Sequence, residues 1–242
     1  MQKIEEIETL DQETKNAYIR RMFNGISRRY DFLNHFLSAG IDRHWRKQAI
    51  EISNLSSGEM FLDVACGTGD LSIEAAKAKP AKIIAVDFAE KMLQGFGEKK
   101  RKSNLNGKVE MVQANAEKLP FSDNAFDAAS VAFGVRNFGD LKSGLAEMHR
   151  VLKRNGRIVV LEFSNPKHFP FKQIYSFYFK KILPALGHLI SGDSQAYSYL
   201  PESVLSFPDG KVFENILLDT KFHDVRSMPL TFGIAALYFG IK

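Results

Sequence analysis

The stretch Met60–Asp70 constrains the fold of this chain more than any other. It reads Met-Phe-Leu-Asp-Val-Ala-Cys-Gly-Thr-Gly-Asp, an apolar run followed by a tight glycine turn. A helical pattern begins at Asp70. A strand, a glycine loop and a helix in this order present backbone N–H groups and a helix N-terminus to a ligand. The stretch therefore predicts a ligand loop within an α/β fold.

Buried apolar runs alternate with helical patterns after this unit. This alternation is typical of a doubly wound parallel sheet that helices cover on both faces. The predicted helices are Asp70–Lys79, Ala89–Lys102 and Leu141–Lys153. The predicted strands are Lys82–Phe88, Val109–Ala114, Phe126–Phe133, Gly156–Phe163, and a closing pair at Phe222–Pro229 and Ile234–Ile241.

The chain of 242 residues is long enough for one domain with a sizeable core, and no linker or repeat divides it. We predict a single domain over 1–242. It has an N-terminal helical extension at 1–52 and a helical or irregular insertion, on the substrate side, at 168–215. Within the insertion, residues 168–192 form a dense aromatic and aliphatic stripe.

Basic residues concentrate in the N-terminal extension, which has helical spacing from Thr14 to Ile52. Such charge runs most often form a solvated helix face, and we predict one here. The residues are Arg20, Arg21, Arg28, Arg29, Arg43, Arg46 and Lys47. The net charge of +5 and the pI of 9.1 are compatible with an anionic ligand, a nucleic acid or an anionic membrane surface.

Cysteine and histidine usage argues against a disulfide framework and against a metal site. The one cysteine, Cys66, fits a small buried side chain better than a nucleophile. The six histidines show no ligand spacing, so we predict no metal. There is no apolar signal segment, and no apolar run reaches the roughly 18–20 residues that span a bilayer. These features predict a cytoplasmic protein.

The glycine loop is shorter than a dinucleotide fingerprint, because Ser72 stands where the third glycine would be. Gly67, Thr68 and Gly69 suit a smaller nucleoside ligand whose amino-acid part lies against the loop. A plain tight turn is the alternative. Asp63, within the strand end, is a candidate to bond the loop N–H groups or a ligand ammonium.

Two further strand ends extend this site, since ligands of open α/β sheets bind at the carboxyl ends of the strands. Asp87 is placed to accept two hydrogen bonds from a ribose diol, with a helix N-cap or a surface acid as the alternative. Asn115-Ala116 would read an adenine edge or form an Asx turn. The chain has no Walker A sequence and no basic residue in the glycine loop. The pattern therefore indicates S-adenosylmethionine rather than a nucleotide.

The loop after the fourth strand carries the pair Arg136-Asn137. Arg136 is a candidate to polarise a phenolic oxygen or to hold a water that takes its proton, and Asn137 is a candidate to orient that water. The alternative for Arg136 is an ion pair with a nearby acid such as Asp140. The sequence does not favour the catalytic role of Arg136 over the ion pair.

Longer stretches resemble the ubiquinone/menaquinone biosynthesis C-methyltransferase family, in addition to the general likeness of Leu62–Asp70 to class I methyltransferase cofactor loops. The resemblance runs from about residue 18 to residue 242 in the right order. One difference lies in the first stretch, where Asp42 replaces the usual His. The stretches are Arg28–Trp45, Asn115–Phe121 with its continuation Ala132–Asn137, and Arg150–Pro166.

The resemblance implies a Rossmann-like class I methyltransferase sheet with an antiparallel last strand. It also implies an S-adenosylmethionine-dependent C-methyltransferase that acts on a polyprenylated quinol. Arg136, Asn137 and Tyr30 become candidates to hold the quinol and its water. The implied cofactor contacts are Asp63, Gly67, Thr68, Gly69, Asp87, Asn115 and Ala116.

We favour demethylmenaquinol as the acceptor, with 2-methoxy-6-polyprenyl-1,4-benzoquinol, or both quinols, as the alternative. A nucleic-acid methyltransferase is the alternative from another class. The chain from residue 133 onward lacks the Asp/Asn-Pro-Pro-Tyr/Phe sequence of amino-methylating enzymes, so we expect no nucleic-acid partner. No feature indicates an oligomeric state.

A polyprenyl tail gives the stripe at 168–192 two interpretations. One is an aromatic core helix. The other is peripheral contact with an anionic membrane surface, aided by Lys172, Lys180 and Lys181.

Overall fold

One seven-stranded sheet organises the computed structural model, which describes residues 11–38, 40–177 and 194–242. The strand order is β3-β2-β1-β4-β5-β7-β6, and β7 alone runs antiparallel to its neighbours. The predicted doubly wound, mostly parallel sheet with an antiparallel last strand is therefore confirmed. The strands are β1 Met60–Val64, β2 Lys82–Asp87, β3 Val109–Gln113, β4 Phe126–Ala132, β5 Leu152–Phe163, β6 His223–Leu230 and β7 Ala235–Ile241.

Helices lie on both faces of this sheet, as a parallel sheet requires. Short 3₁₀ turns follow α3 at Ala76–Ala78 and follow β4 at Val135–Asn137. The α-helices of the described residues are α1 Gln12–Leu37, α2 Asp42–Ser53, α3 Asp70–Ala75, α4 Glu90–Lys102, α5 Leu141–Val151, α6 Phe171–Phe177, α7 Ser194–Ser206 and α8 Lys211–Asp219.

The side chains of β1 alternate between the two faces of the sheet, because successive residues of a strand point in opposite directions. Leu62 and Val64 pack in the core that includes Met148 of α5. Phe61 packs in the opposite core with Trp45 of α2. The same alternation directs Asp63 to the face of α2 and α3, so its carboxylate must be satisfied on an otherwise apolar face.

Several boundaries differ from the sequence prediction, and two of the differences have a clear physical cause. The N-terminal extension is two helices rather than one continuous pattern, because the chain turns between Leu37 and Asp42 and Gly40 there has a left-handed φ of +77°. Strand β5 begins at Leu152 instead of Gly156. Leu152 is fully buried and pairs with Phe126 before a register shift, so strand pairing starts earlier than the glycine suggested.

Candidate active site

A cleft opens where the carboxyl ends of β1, β2, β3 and β4 meet, as expected for an open α/β sheet. It encloses about 620 Å³ out to its open mouth. Helix α1 covers one side of it with Asn16, Ile19 and Phe23. Five of the predicted site residues line it, namely Gly67, Asp87, Asn115, Ala116 and Asn137.

The glycine loop between β1 and α3 is held in a shape that other residues would not allow. Gly69 has φ +83°, and a Cβ atom there would lie 2.1 Å from the ring of Phe96. The Gly67 N–H donates a hydrogen bond of 2.8 Å to Asp87 Oδ2. This hydrogen bond connects the end of β1 to the end of β2 at the edge of the cleft.

Asp87 is buried rather than a surface acid, because only 8 % of it is exposed. Its Oδ1 accepts a hydrogen bond from the Ala89 N–H at 2.8 Å. Burial raises the pKa of Asp87 to about 6, although its backbone hydrogen bonds act in the opposite direction. A carboxylate offers about four lone-pair sites, so both oxygens retain capacity for a ligand.

Asn115 forms the Asx turn that the sequence left open as an alternative. Its Oδ1 accepts a hydrogen bond from the Glu117 N–H at 3.0 Å. The same residue lines the cleft beside Ala116. The turn fixes the side chain at the cleft wall, and its amide nitrogen makes no hydrogen bond to a described residue.

A smaller cavity joins the cleft behind the glycine loop, sharing Ala65 and Gly67 with it. Asp63 faces this cavity and is 1 % exposed. Its Oδ2 accepts a hydrogen bond from Ser72 Oγ at 2.5 Å, whereas its Oδ1 has no partner among the described residues. Burial raises the pKa of Asp63 to about 7, opposed by the Ser72 hydrogen bond and the Arg46 charge.

Other residues of this loop have structural contacts. Thr68 is buried, and its Oγ1 accepts a hydrogen bond of 3.1 Å from Lys99 Nζ. Lys99 also pairs with Asp70 at 2.6 Å, which ties α4 to the start of α3. Cys66 is buried as predicted, and burial raises the pKa of its thiol.

The charge of the main cleft suits a cation that carries no phosphate. Its described lining residues include the acids Asp87 and Glu117 but no Lys, Arg or His. The unpartnered oxygen of Asp63 adds a further acceptor in the joined cavity. The donor and acceptor set therefore fits S-adenosylmethionine, whose sulfonium and ammonium are both positive.

Arg136 is buried against an acid that the sequence analysis missed. Its Nη1 lies 2.5 Å from Glu162 Oε1 and donates to the Phe133 carbonyl at 2.8 Å. The ion pair that the sequence left open as the alternative for Arg136 is therefore confirmed, but its acid is Glu162 and not Asp140, which caps α5 by accepting from the Ser143 N–H. A lone acid inside the apolar run of β5 was the signal for Glu162.

Asn137 and Tyr30 belong to different elements of the fold. Asn137 Oδ1 accepts a hydrogen bond of 3.0 Å from the hydroxyl of Tyr199, a residue of α7 that the sequence analysis did not single out. Tyr30 belongs to α1, and its side chain lies outside the described part of the structure.

The basic extension is only partly a solvated face. Arg20, Arg21, Arg43 and Lys47 are exposed, as predicted. The prediction is wrong for Arg46, of which only 6 % is exposed and which lines the small cavity with Asp63.

Two general properties concern the described residues alone. Across 11–38, 40–177 and 194–242, no three His, Cys, Asp or Glu side chains gather in a group able to hold a metal ion. Within the same ranges, every helix is too short or too polar to cross a bilayer.

Comparison with known proteins identifies the family. The model of the ubiE/COQ5 methyltransferase family matches residues 11–242. The chain is 47 % identical to the ubiquinone/menaquinone biosynthesis C-methyltransferase of Citrifermentans bemidjiense, over 94 % of this chain and 97 % of that protein. It is 44 % identical to the demethylmenaquinone methyltransferase of Bacteroides fragilis, over 94 % of both chains.

A solved structure supports the fold. The chain superposes on a SAM-dependent methyltransferase from Aquifex aeolicus with a TM-score of 0.60 and 20 % identity, covering 81 % of this chain and 88 % of that one.

Proposed function

The chain belongs to the ubiE/COQ5 methyltransferase family and is an S-adenosylmethionine-dependent C-methyltransferase, and we propose that it converts demethylmenaquinol to menaquinol. The observation that carries this proposal is the nearly full-length similarity to a demethylmenaquinone methyltransferase. The acid-lined cleft, which suits a cationic cofactor, agrees with it.

The reaction requires the chain to align a quinol ring and to help remove a proton. The bound cofactor supplies an electrophilic methyl group. A ring carbon ortho to a hydroxyl becomes nucleophilic as that hydroxyl loses its proton. It then forms the new carbon–carbon bond while the bond between the methyl carbon and the sulfur breaks, which leaves a neutral thioether. Loss of the proton on that ring carbon and return of one proton to the oxygen restore the aromatic quinol, so one proton is released overall.

We assign the acceptor roles to Arg136, Asn137 and Tyr30. Glu162 and the Phe133 carbonyl hold the Arg136 guanidinium in one orientation. A fixed guanidinium stabilises the negative charge that develops on a quinol oxygen, and Asn137 orients the water that takes the proton. The proposed cofactor residues are Asp63, Gly67, Thr68, Gly69, Asp87, Asn115 and Ala116.

The division of roles is tested with Arg136→Lys, which keeps the positive charge beside Glu162 but loses the planar fork. We expect methyl transfer to fall about 100-fold or more. We expect binding of S-adenosylhomocysteine, measured by calorimetry, to stay within about threefold, because the variant alters no cofactor contact. Arg157→Lys is the matched control, since Arg157 pairs with Glu59 at 2.6 Å and lines neither cavity. Equal loss of binding and turnover would refute the division.

The choice of acceptor is tested with labelled cofactor and separate acceptors. Demethylmenaquinol, 2-methoxy-6-polyprenyl-1,4-benzoquinol and total RNA are offered to the purified chain in parallel. We expect the highest kcat/KM with demethylmenaquinol and no label in RNA. A higher value for the benzoquinol would reassign the substrate, and labelled RNA would overturn the quinol assignment.

We also propose that the chain works at a cytoplasmic membrane surface, since a polyprenylated acceptor resides in the bilayer. The supporting feature is an exposed aromatic cluster beside the ends of β5 and β6. Phe169 and Phe232 are 81 % and 67 % exposed, and Phe171 stacks on Phe232 with ring centroids 3.9 Å apart. Lys167 and Lys172 are exposed nearby in the sequence. Aromatic side chains flanked by lysine favour an anionic lipid surface.

Vesicle flotation tests this surface. The double substitution Phe169→Ser and Phe232→Ser changes two exposed side chains, so the core stays intact. We expect the wild-type chain to float with vesicles that contain phosphatidylglycerol, and the variant to float several-fold less. Val212→Ser is the control, because Val212 is also exposed but lies outside the cluster. Unchanged flotation of the double variant would refute the proposal.

A further inference from the structure

Arg46 is a buried cation whose position is not explained by packing alone. It lies on α2 between the buried Trp45 and the exposed Lys47, and it faces the small cavity behind the glycine loop. Its Nη1 pairs closely with Asp42, which in turn accepts a hydrogen bond of 2.6 Å from Ser38 Oγ. The guanidinium also lies 5.4 Å from the ring centre of Phe133. These contacts fix the side chain at the cavity wall.

The hydrogen-bonding capacity of Arg46 is only partly used. A guanidinium has five N–H donors in a planar fork that matches a carboxylate. The distance from Nη2 to Asp70 Oδ2 is 3.9 Å, which is too long for a hydrogen bond. The Nη2 side of the fork faces Asp70 as an ion pair without a hydrogen bond, so its N–H donors are available to a bound anion.

A second buried charge lines the same cavity. Asp63 Oδ1 has no partner among the described residues although the residue is 1 % exposed. Burying an unpaired carboxylate oxygen is costly, so a structure that retains one has a use for it. Asp63 supplies an acceptor for a cation where Arg46 supplies donors for an anion.

One class of ligand satisfies both groups. A phosphate would be repelled by Asp63, and a simple amine would leave Arg46 unused. We propose that this cavity binds the α-amino-acid end of the cofactor, with Arg46 holding the carboxylate and Asp63 the ammonium. The proposal rests on the cofactor of the family and is independent of which quinol is methylated.

The assignment gives the N-terminal extension a role in cofactor selection. Arg46 belongs to α2, which lies outside the sheet and its crossover helices. The N-terminal extension therefore binds the amino-acid end of the cofactor, and the main cleft binds the nucleoside. Asp42 is the positioning residue, because it holds Nη1 and so orients the fork. The chain is therefore expected to discriminate against a cofactor analogue that lacks the carboxylate.

Three ligands that differ only at this end test the proposal by calorimetry. S-adenosylhomocysteine has both charged groups, 5′-deoxy-5′-(3-aminopropylthio)adenosine lacks the carboxylate, and 5′-methylthioadenosine lacks both. For Arg46→Met we expect affinity for the first ligand to fall about 10- to 100-fold. Affinity for the second should stay the same or rise, because a repelling charge is removed. Affinity for the third should stay within about twofold.

Two further variants keep the result decisive. Asp42→Asn combined with Arg46→Met removes both charges of the pair, so Asp42 is not left as a buried carboxylate without its cation, and the same ligand pattern is expected. Lys47→Met is the matched control on the same helix, since Lys47 is exposed and pairs with Glu51 at 3.7 Å. It should change none of the three affinities.

The outcomes separate this proposal from the proposed function. Loss of all three affinities to the same extent in the double variant, or of none, would overturn the role of Arg46. Neither result would affect methyl transfer to demethylmenaquinol by the wild-type chain, which is measured separately.

Discussion

Two buried carboxylates at the same edge of the sheet have opposite surroundings. Glu162, near the end of β5, is fully buried and uses both oxygens within the protein. Its Oε1 accepts from Arg136 Nη1 and from the Phe163 N–H at 2.8 Å, and its Oε2 accepts from the Arg136 N–H at 3.4 Å. Asp63, near the end of β1, leaves one oxygen without a described partner.

The difference separates a carboxylate whose two oxygens are both used within the protein from one that keeps an open acceptor, which we propose binds a ligand. Burial raises the pKa of both groups, but Arg136 opposes the shift at Glu162 through an ion pair. Removing one partner of a buried ion pair strongly destabilises the fold, whereas a buried charge without a partner lowers stability as it stands. Removing Glu162 should therefore damage the fold, and removing Asp63 should damage binding.

The largest expected effect is that of Glu162→Ala. This substitution leaves the Arg136 guanidinium buried without its anion, so the free energy of unfolding should fall by about 3–5 kcal/mol. Urea denaturation measures it. The exposed pair Lys142–Asp219, at 3.0 Å, provides the control Asp219→Asn, for which a change below about 0.5 kcal/mol is expected. A loss of under about 1 kcal/mol for Glu162→Ala would contradict the structural role.

Asp63→Asn should show the reverse pattern. The amide oxygen can still accept from Ser72, and the buried charge disappears, so the free energy of unfolding at pH 8 should not decrease. Binding of S-adenosylhomocysteine should weaken by about 1.5–3 kcal/mol, because a charge-assisted hydrogen bond is lost. Calorimetry and urea denaturation on the same sample separate the two effects. Reduced stability with unchanged binding would remove the contrast with Glu162.

The same contrast explains which half of the site could be predicted from the sequence. The proposed cofactor half depends on local signals, namely a glycine turn shortly after β1, an acid at the end of β2 and an amide shortly after β3. Strand ends of a parallel sheet meet at one edge, so these residues had to be neighbours. The parallel sheet and the burial of its apolar runs followed from the alternation of strands and helices.

The acceptor half depends on pairing between distant segments. Arg136 has Asp140 four positions away, yet its partner is Glu162, 26 positions away. The parallel register of β4 and β5, which aligns Ala132 with Leu161, brings that acid beside the loop. Arg46 was missed for a similar reason. Its burial results from α2 packing against α3 and β5, and a run of basic residues carries no information about that contact.

The pH dependence of ligand affinity tests the role of the buried carboxylates further. The pKa of Asp63 is about 7 and that of Asp87 about 6, so both carboxyl groups lose their protons in this range when no ligand is bound. The ammonium group of S-adenosylhomocysteine requires the ionised form of Asp63. Affinity for this ligand should therefore rise with pH, by up to about tenfold per unit below pH 7, and level off above pH 7.

Stability of the ligand-free chain should respond in the opposite direction. Both groups have native pKa values above their unfolded value of 3.8, so the native state retains protons that the unfolded chain releases. Their contribution is complete below about pH 4 and is lost as the pH rises through 6 and 7, by about 1.4 kcal/mol per unit for each group. Asp63→Asn should flatten this slope in urea denaturation from pH 5 to 8. An equal slope in the variant would show that Asp63 does not titrate there.

The smallest expected effect concerns α2, which contacts the small cavity on one side and Thr231 on the other. Arg46 faces the small cavity, while Trp45 Nε1 donates a hydrogen bond of 2.8 Å to Thr231 Oγ1, next to the exposed Phe232. Thr231→Val keeps the β-branched shape at a backbone position with φ +45°, so it removes only the hydroxyl. We expect the free energy of unfolding to fall by about 1 kcal/mol.

Affinity for S-adenosylhomocysteine should remain within about twofold in Thr231→Val, because the packing of Trp45 against Phe133 and Phe163 holds α2 in place. Thr220→Val is the control. Thr220 follows α8, and its hydroxyl donates a hydrogen bond to the Ile216 carbonyl outside both cavities, so its loss should lower the free energy of unfolding by a similar amount. If Thr231→Val alone weakened cofactor binding, the two faces of α2 would be coupled.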